Sequence, residues 1–364
     1  IFIFNMIYLD NAASTPLHKE LQESLPQAFS FVGNAQSLQM RPLHDIIDKS
    51  KRQVCDYFNG DPSRLFFTSG ATESISTIIV GAAKFYQKSG KHLITFATEH
   101  ASSLAAHQYL EREGFKITIL PVNDDGSIAI DALEAELTDE TLLVSLNHVC
   151  NETGIVHDLD SIIALKNKYG FMIHLDACQT IGKTTLDVQK HPVDFISLSA
   201  HKCYGPQGIG AMYIQKNRHI QPILHGNHSV RSGTLSHGLI ALMGQAYDIA
   251  KRDMESNLRI VLNKRQRFIK NMSDIDHIIH AKYSVPHIVN IAFPNASKDN
   301  IQSIRDNIYC QVSSACHAGS PSHVLKAWGI PLEIIKRSIR FSFSIYTTDK
   351  EIDTACQVIL NALT

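Results

Sequence analysis

The chain has 364 residues, of which 44% are hydrophobic, enough to bury a large core and to build one large and one small domain. Thirty-four basic side chains face thirty-five acidic ones, so the formal net charge of -1 provides no global field toward nucleic acid or an anionic membrane. No apolar run approaches membrane-spanning length, and seven cysteines without a Cys-x-x-Cys pair argue against a disulfide framework or a zinc site.

Met6 directly precedes Ile-Tyr-Leu-Asp10, which would make residues 1–5 an upstream extension of the natural start. Between about residues 60 and 215, short apolar runs alternate with helix-patterned stretches, the signature of a mostly parallel sheet covered on both faces. The runs Arg64–Thr68, His92–Phe96, Lys116–Leu120, Thr141–Leu146, Phe171–Leu175 and Phe195–Leu198 predict strands, and Ala211–Ile214, after a Gly-rich turn, predicts an edge strand. Helices are expected from Ile75 to Phe85, Leu104 to Glu113 and Asp160 to Tyr169. From about residue 240 the pattern becomes one long helix, Leu242 to about Ile269, followed by α+β material with strands at His287–Phe293 and Ser338–Ser342. The expected organisation is α/β, with a large mostly parallel-sheet domain over residues 16–250. A smaller α+β domain would comprise residues 1–15 and 251–364, with no repeat or disordered linker between the two.

Two apolar runs stop on ionisable residues. Lys202 ends Phe195-Ile-Ser-Leu-Ser-Ala-His-Lys202, and Asp176 ends Phe171-Met-Ile-His-Leu-Asp176. An amine able to form a Schiff base and a carboxylate able to hold a protonated pyridine nitrogen are the two protein groups that pyridoxal phosphate chemistry requires. Either alone reads equally well as a solvated residue at a strand end. The segment Phe67-Thr-Ser-Gly-Ala-Thr-Glu-Ser74 joins a strand to a helix and can cradle a phosphate, through close backbone approach at Gly70, free helix-start amides and the Thr72 hydroxyl. Taken alone it is an ordinary N-terminal cap. His100, closing a strand, could stack its ring on a pyridine, and Asn151 and Gln179 carry amides able to bond a ring hydroxyl.

The motifs Leu9-Asp-Asn-Ala-Ala-Ser-Thr-Pro16, Thr68-Ser-Gly-Ala-Thr-Glu-Ser74, Thr98-Glu-His100, His174-Leu-Asp-Ala-Cys-Gln179, Ser199-Ala-His-Lys-Cys-Tyr-Gly-Pro206, Arg231-Ser-Gly-Thr234, Ser314-Ala-Cys316 and Ile339-Arg-Phe341 occur in this order. With them the chain resembles the cysteine desulfurases over nearly its whole length. The resemblance implies a fold-type-I, class V aminotransferase-like enzyme that uses pyridoxal 5'-phosphate to remove sulfur from L-cysteine, leaving L-alanine. It implies that Lys202 forms the Schiff base, that Asp176 pairs with the ring nitrogen, and that His100 stacks on the ring and takes part in catalysis. Asn151 and Gln179 would contact the ring oxygen. Ala71, Thr72, Ser199 and His201 would bind the cofactor, the last three at its phosphate, and Thr234 would reach it from the neighbouring subunit of a homodimer. Arg340 would hold the substrate carboxylate, with Asn34 as a second candidate that is weakened because no proline follows it.

Cys316 lies in the small-residue run Gln311-Val-Ser-Ser-Ala-Cys-His-Ala-Gly-Ser-Pro321, where a thiolate could attack the substrate sulfur and carry it as a persulfide to a sulfur-acceptor protein. The run looks a few residues shorter than in relatives that feed iron-sulfur cluster assembly through a long loop, so the acceptor stays open among iron-sulfur clusters, thiolated RNA, modified DNA and cofactors. The same lysine and ring contacts would serve a selenocysteine lyase, and a non-catalytic sulfur-relay protein could keep the fold. A cytoplasmic location is expected from the cysteine usage.

Overall fold

The computed structural model describes residues 6–30, 33, 41–226, 230–281, 283–311 and 321–364. Seven strands form one sheet in the order Leu65–Thr68, Gly210–Ile214, Phe195–Ser199, Met172–Asp176, Thr141–Asn147, His92–Phe96 and Lys116–Leu120. All run parallel except Gly210–Ile214, which is antiparallel to both its neighbours. The runs that predicted strands end within a residue or so of the observed ones, because strands buried on both faces read as continuous apolar stretches.

Alternation along each strand separates two cores. Ile94, Val144, Ile173, Ile196 and Tyr213 pack on one face with Val54, Ile162 and Met243 from helices. Leu93, Leu143, Met172, Phe195 and Met212 pack on the other with Ile75, Ile78 and Leu110. Helices therefore cover both faces, as the alternating pattern requires.

Gly210–Ile214 is not an edge strand. After Lys202 the chain turns back on itself, with the Gly205 amide bonded to the Ala200 carbonyl and Gly208 at φ +80°, so the next strand returns antiparallel beside Phe195–Ser199. Its five residues are all buried, whereas Lys116–Leu120, a true edge, is exposed at both Lys116 and Ile119. The predicted long helix is also corrected. It is two helices, His237–Arg252 and Met254–Asn271, separated at Asp253, whose φ of -103° and ψ of 6° leave the helical region. The first buries Met243 and Tyr247 against the large sheet, while the second sends Val261 and Phe268 into a separate core. Each half keeps helical periodicity, so the change of packing partner is invisible in the spacing.

That separate core surrounds a small antiparallel sheet, Ser338–Ser342, Ile288–Ala292 and Ile278–Ile279. The N-terminal segment joins it: Ile7–Tyr8 pairs parallel with Ile308–Tyr309, Leu9 is fully buried among Phe341 and Val289, and Asp10 bridges Ser342. The start of the chain is thereby brought beside the carboxyl ends of the large sheet's strands, where ligands sit in open α/β folds. Among the described residues no helix is long and apolar enough to cross a membrane.

Candidate active site

A cavity of about 500 Å³ opens at those carboxyl ends. It brings together Ala71, Thr72, His100, Asn151, His201 and Lys202 from the large sheet's connections, and Arg340 from the small sheet. Asp176 and Ser199 end their strands and Gln179 lies in the turn three residues past Asp176; all three are buried behind the cavity lining. Thr234 is exposed and does not line this cavity. Asn34 and Cys316 lie outside the described residues.

The helix Ala71–Tyr86 starts without a side-chain cap, because its N-cap residue is Gly70. A Cβ built on Gly70 would meet nothing within 4 Å, so the first-turn amides face open space in which an anion can approach them. Behind them, the Thr68 and Ser74 hydroxyls lie 2.8 Å apart. Glu73 holds the rim: it accepts 2.7 Å from the Ser69 amide and 2.8 Å from Arg231 Nε. Burial opposes ionisation of Glu73, but the bonds from Arg231 and Ser69 outweigh it and its carboxyl is held below the usual range.

Lys202 follows the Phe195–Ser199 strand by three residues. Its carbonyl accepts 2.9 Å from Nζ of the buried Lys183, whose amine is pulled down to about 8, burial being the leading cause. His201 lines the cavity with Nδ1 3.3 Å from Ser14 Oγ, and burial together with the neighbouring Lys202 and Lys183 pushes it down to about 4. It is therefore a neutral ring at neutral pH, able to donate one hydrogen bond. His100 caps the helix Ala101–Arg112: its Nδ1 accepts 3.2 Å from the Ser102 amide, which fixes the plane of the ring at the cavity wall.

Asp176 Oδ1 accepts 2.9 Å from the Cys178 amide, leaving its second oxygen for another partner. Two positions before it, His174 is fully buried between Ser145 Oγ at 2.6 Å and Ser197 Oγ at 2.9 Å, a polar bar across three strands beneath the site. Gln179 Nε2 donates 2.8 Å to the Ala12 carbonyl and so ties the N-terminal segment to the cavity wall. Arg340 donates 2.8 Å to the Asn151 carbonyl and 2.7 Å to Asp10.

Buried polar atoms without a partner among the described residues include Ser199 Oγ, Gln179 Oε1 and Arg340 Nε. Stranded polar atoms of this kind are costly unless a bound molecule uses them. A free amine, a carboxylate behind the wall and an uncapped helix start fit a planar, phosphorylated, cationic ring such as that of pyridoxal phosphate. Asp10, Lys183, Glu73 and Gln311 were missed by sequence reasoning. Asp10 and Glu73 stand inside the motifs Leu9–Pro16 and Thr68–Ser74 and Gln311 opens the run that holds Cys316, and that adjacency is the available signal.

A profile of the family described as Aminotransferase class-V matches residues 7–354. The protein is similar to the Cysteine desulfurase IscS of Vibrio vulnificus (strain YJ016), 40% identical over 369 residues that cover 97% of this chain and 91% of the relative. The IscS of Proteus mirabilis (strain HI4320) is 38% identical over 373 residues, covering 98% and 92%. Among solved structures, a NifS-like protein superposes with a TM-score of 0.91 at 29% identity, covering 98% of this chain and 99% of that one. A structure described as SspA in complex with cysteine superposes at 0.84 and 29% identity, covering 94% and 99%.

Proposed function

The chain belongs to the class-V aminotransferase family, among the cysteine desulfurases, and from that premise we propose that this cavity takes L-cysteine, releases L-alanine and hands the sulfur to Cys316. The observation that carries the reading is the meeting of Lys202, the uncapped helix start at Gly70 to Thr72 and Arg340 in one cavity.

Pyridoxal 5'-phosphate, when bound, supplies an electron sink for the amino acid's α-carbon. The residues that would hold it are Lys202 through its amine, Asp176 at the ring nitrogen, His100 on the ring face, and Asn151 and Gln179 at the ring oxygen. Ala71, Thr72, Ser199 and His201 would hold its phosphate end. Thr234, exposed in its own chain, would complete that end from the second subunit of a homodimer. Residues 16–250 form the cofactor-carrying domain, and residues 1–15 with 251–364 form the smaller one.

Arg340 orients the substrate through its carboxylate. Lys202 Nζ would take up the α-proton of the substrate and return it, acting as base and then acid. The Cys316 thiolate attacks the substrate sulfur: a sulfur-sulfur bond forms and the carbon-sulfur bond breaks. The electron pair stays on the carbon fragment, which gains a proton and leaves as alanine. The persulfide is then passed to an acceptor protein, with the reducing cytoplasm as the setting. Gln311, five residues before Cys316 in the sequence, lies against Asp10, the partner of Arg340.

The test is product analysis with purified protein and L-cysteine. Alanine and transferable sulfur are expected in a one-to-one ratio, with both lost in Lys202→Ala. Pyruvate in place of alanine would assign the cavity to elimination chemistry and overturn the reading.

A further inference from the structure

Arg340 is 3% exposed and its partner Asp10 is 7% exposed. A buried pair of this kind contributes little stability compared with apolar residues of the same volume, so its place at a cavity wall calls for another explanation. The contacts around it form a closed frame. Arg340 Nη2 donates 2.7 Å to Asp10 Oδ1, and Nη1 donates 2.8 Å to the Asn151 carbonyl. Gln311 Nε2 donates 2.7 Å to the other oxygen, Asp10 Oδ2. The Gln311 and Arg340 backbones exchange two more bonds, at 3.2 Å and 2.6 Å. Asp10 cannot drift either, because the neighbouring Asn11 donates 2.8 Å from Nδ2 to the Ser342 carbonyl and the Leu9 amide bonds the Tyr309 carbonyl at 2.9 Å.

This frame engages both terminal nitrogens of the guanidinium and leaves the buried Nε–H without a partner among the described residues. We propose that Asp10 is the positioning residue that, braced by Gln311, holds the guanidinium of Arg340 at the cavity wall and so sets the preference for a substrate bearing an α-carboxylate. The proposal rests on Arg340 as the carboxylate-binding group. A planar guanidinium recognises a carboxylate through a fixed fork, so a rotation that points the fork elsewhere loses the bond without removing the charge. A carboxylate braced on both oxygens is a suitable stop against that rotation.

The experiment compares L-cysteine with cysteamine, which keeps the amine and thiol but lacks the carboxylate. Cofactor-loaded protein is titrated with each and the change in visible absorbance is read alongside steady-state KM and kcat. Asp10→Ala is expected to weaken L-cysteine binding and raise its KM about 10- to 100-fold, the effect of losing one charge-assisted hydrogen bond. Cysteamine affinity should change less than about 2-fold, and kcat for L-cysteine only a few-fold, since no group touching the reacting atoms is removed. Asp10→Asn, which keeps an acceptor for Nη2, should recover most of the loss.

Arg340→Gln separates the two levels. If it leaves the preference for L-cysteine over cysteamine intact, the carboxylate role of Arg340 is wrong. If it abolishes the preference while Asp10→Ala retains it, only the role of Asp10 fails. An equal loss for both amines in Asp10→Ala would mean general damage and would overturn the proposal. Should that variant not fold, Gln311→Leu, which frees Asp10 Oδ2, is read instead, with an expected loss of preference of about 3- to 10-fold and an unchanged preference as the contrary result.

Discussion

Acid should unfold this protein through its buried histidines. His107, His157 and His174 are 0%, 3% and 0% exposed, and burial is the leading cause that holds each at about 4, against an ordinary value of 6.5. In the unfolded chain the same rings take up protons near 6.5, so between pH 6.5 and 4 the unfolded state binds more protons than the folded one. Stability therefore falls as pH falls through that window. The interval is worth about 3 kcal/mol for each ring, so the three together cost about 4 kcal/mol by pH 5.5 and about 9 kcal/mol by pH 4. Domains of this kind have about 5–15 kcal/mol in total. Urea unfolding followed by circular dichroism at constant ionic strength, from about pH 7.5 down to 4.5, should show the midpoint dropping steeply below about pH 6. His107→Leu should flatten that slope by about a third of the three-ring contribution, because its Nε2 has no partner among the described residues and little else is stranded. A midpoint that stays level between pH 7 and 4.5 would refute the reasoning.

Gly210→Ala would place a Cβ 2.6 Å from the Leu198 carbonyl oxygen and 2.8 Å from Gly70 Cα. Overpacking at that contact should cost about 1–3 kcal/mol by thermal melting and displace the helix start at Gly70, so cofactor retention on gel filtration should fall with it. A variant with unchanged melting and full retention would contradict this. Glu73→Ala removes an acceptor from Arg231 and from the Ser69 amide and is expected to weaken cofactor binding about 10-fold in equilibrium dialysis; unaltered affinity would show that the rim pair does not shape the cradle. Lys202→Ala should lose the visible absorbance of the cofactor-bound lysine while keeping the far-ultraviolet spectrum, and a retained visible band would assign the attachment to another amine.

The large sheet was legible because its inner parallel strands are covered on both sides and so read as unbroken apolar runs. His92–Phe96 and Lys116–Leu120 match residue for residue. Position within the sheet was not legible: Gly210–Ile214 reads like any short apolar strand, and only pairing with both Leu65–Thr68 and Phe195–Ser199 makes it internal. The break at Asp253 escaped because each half of the helix keeps its own periodicity while turning to a different core. In the site, Lys202 and Asp176 stood out as ionisable residues ending apolar runs. Asp10 did not, since its role depends on Gln311 and Arg340, which are 301 and 330 positions away. Spacing along the chain carries no record of contacts made across it.

The most direct test of sulfur transfer is mass spectrometry of the intact protein and its peptides after a single anaerobic turnover with L-cysteine. One added sulfur atom is expected on the peptide containing Cys316, in step with one alanine released, and it should be absent in Cys316→Ser, which should keep the cofactor's visible band. Alanine formed by Cys316→Ser at the original rate, or the added sulfur found on another cysteine, would contradict the assignment of Cys316 as the sulfur carrier.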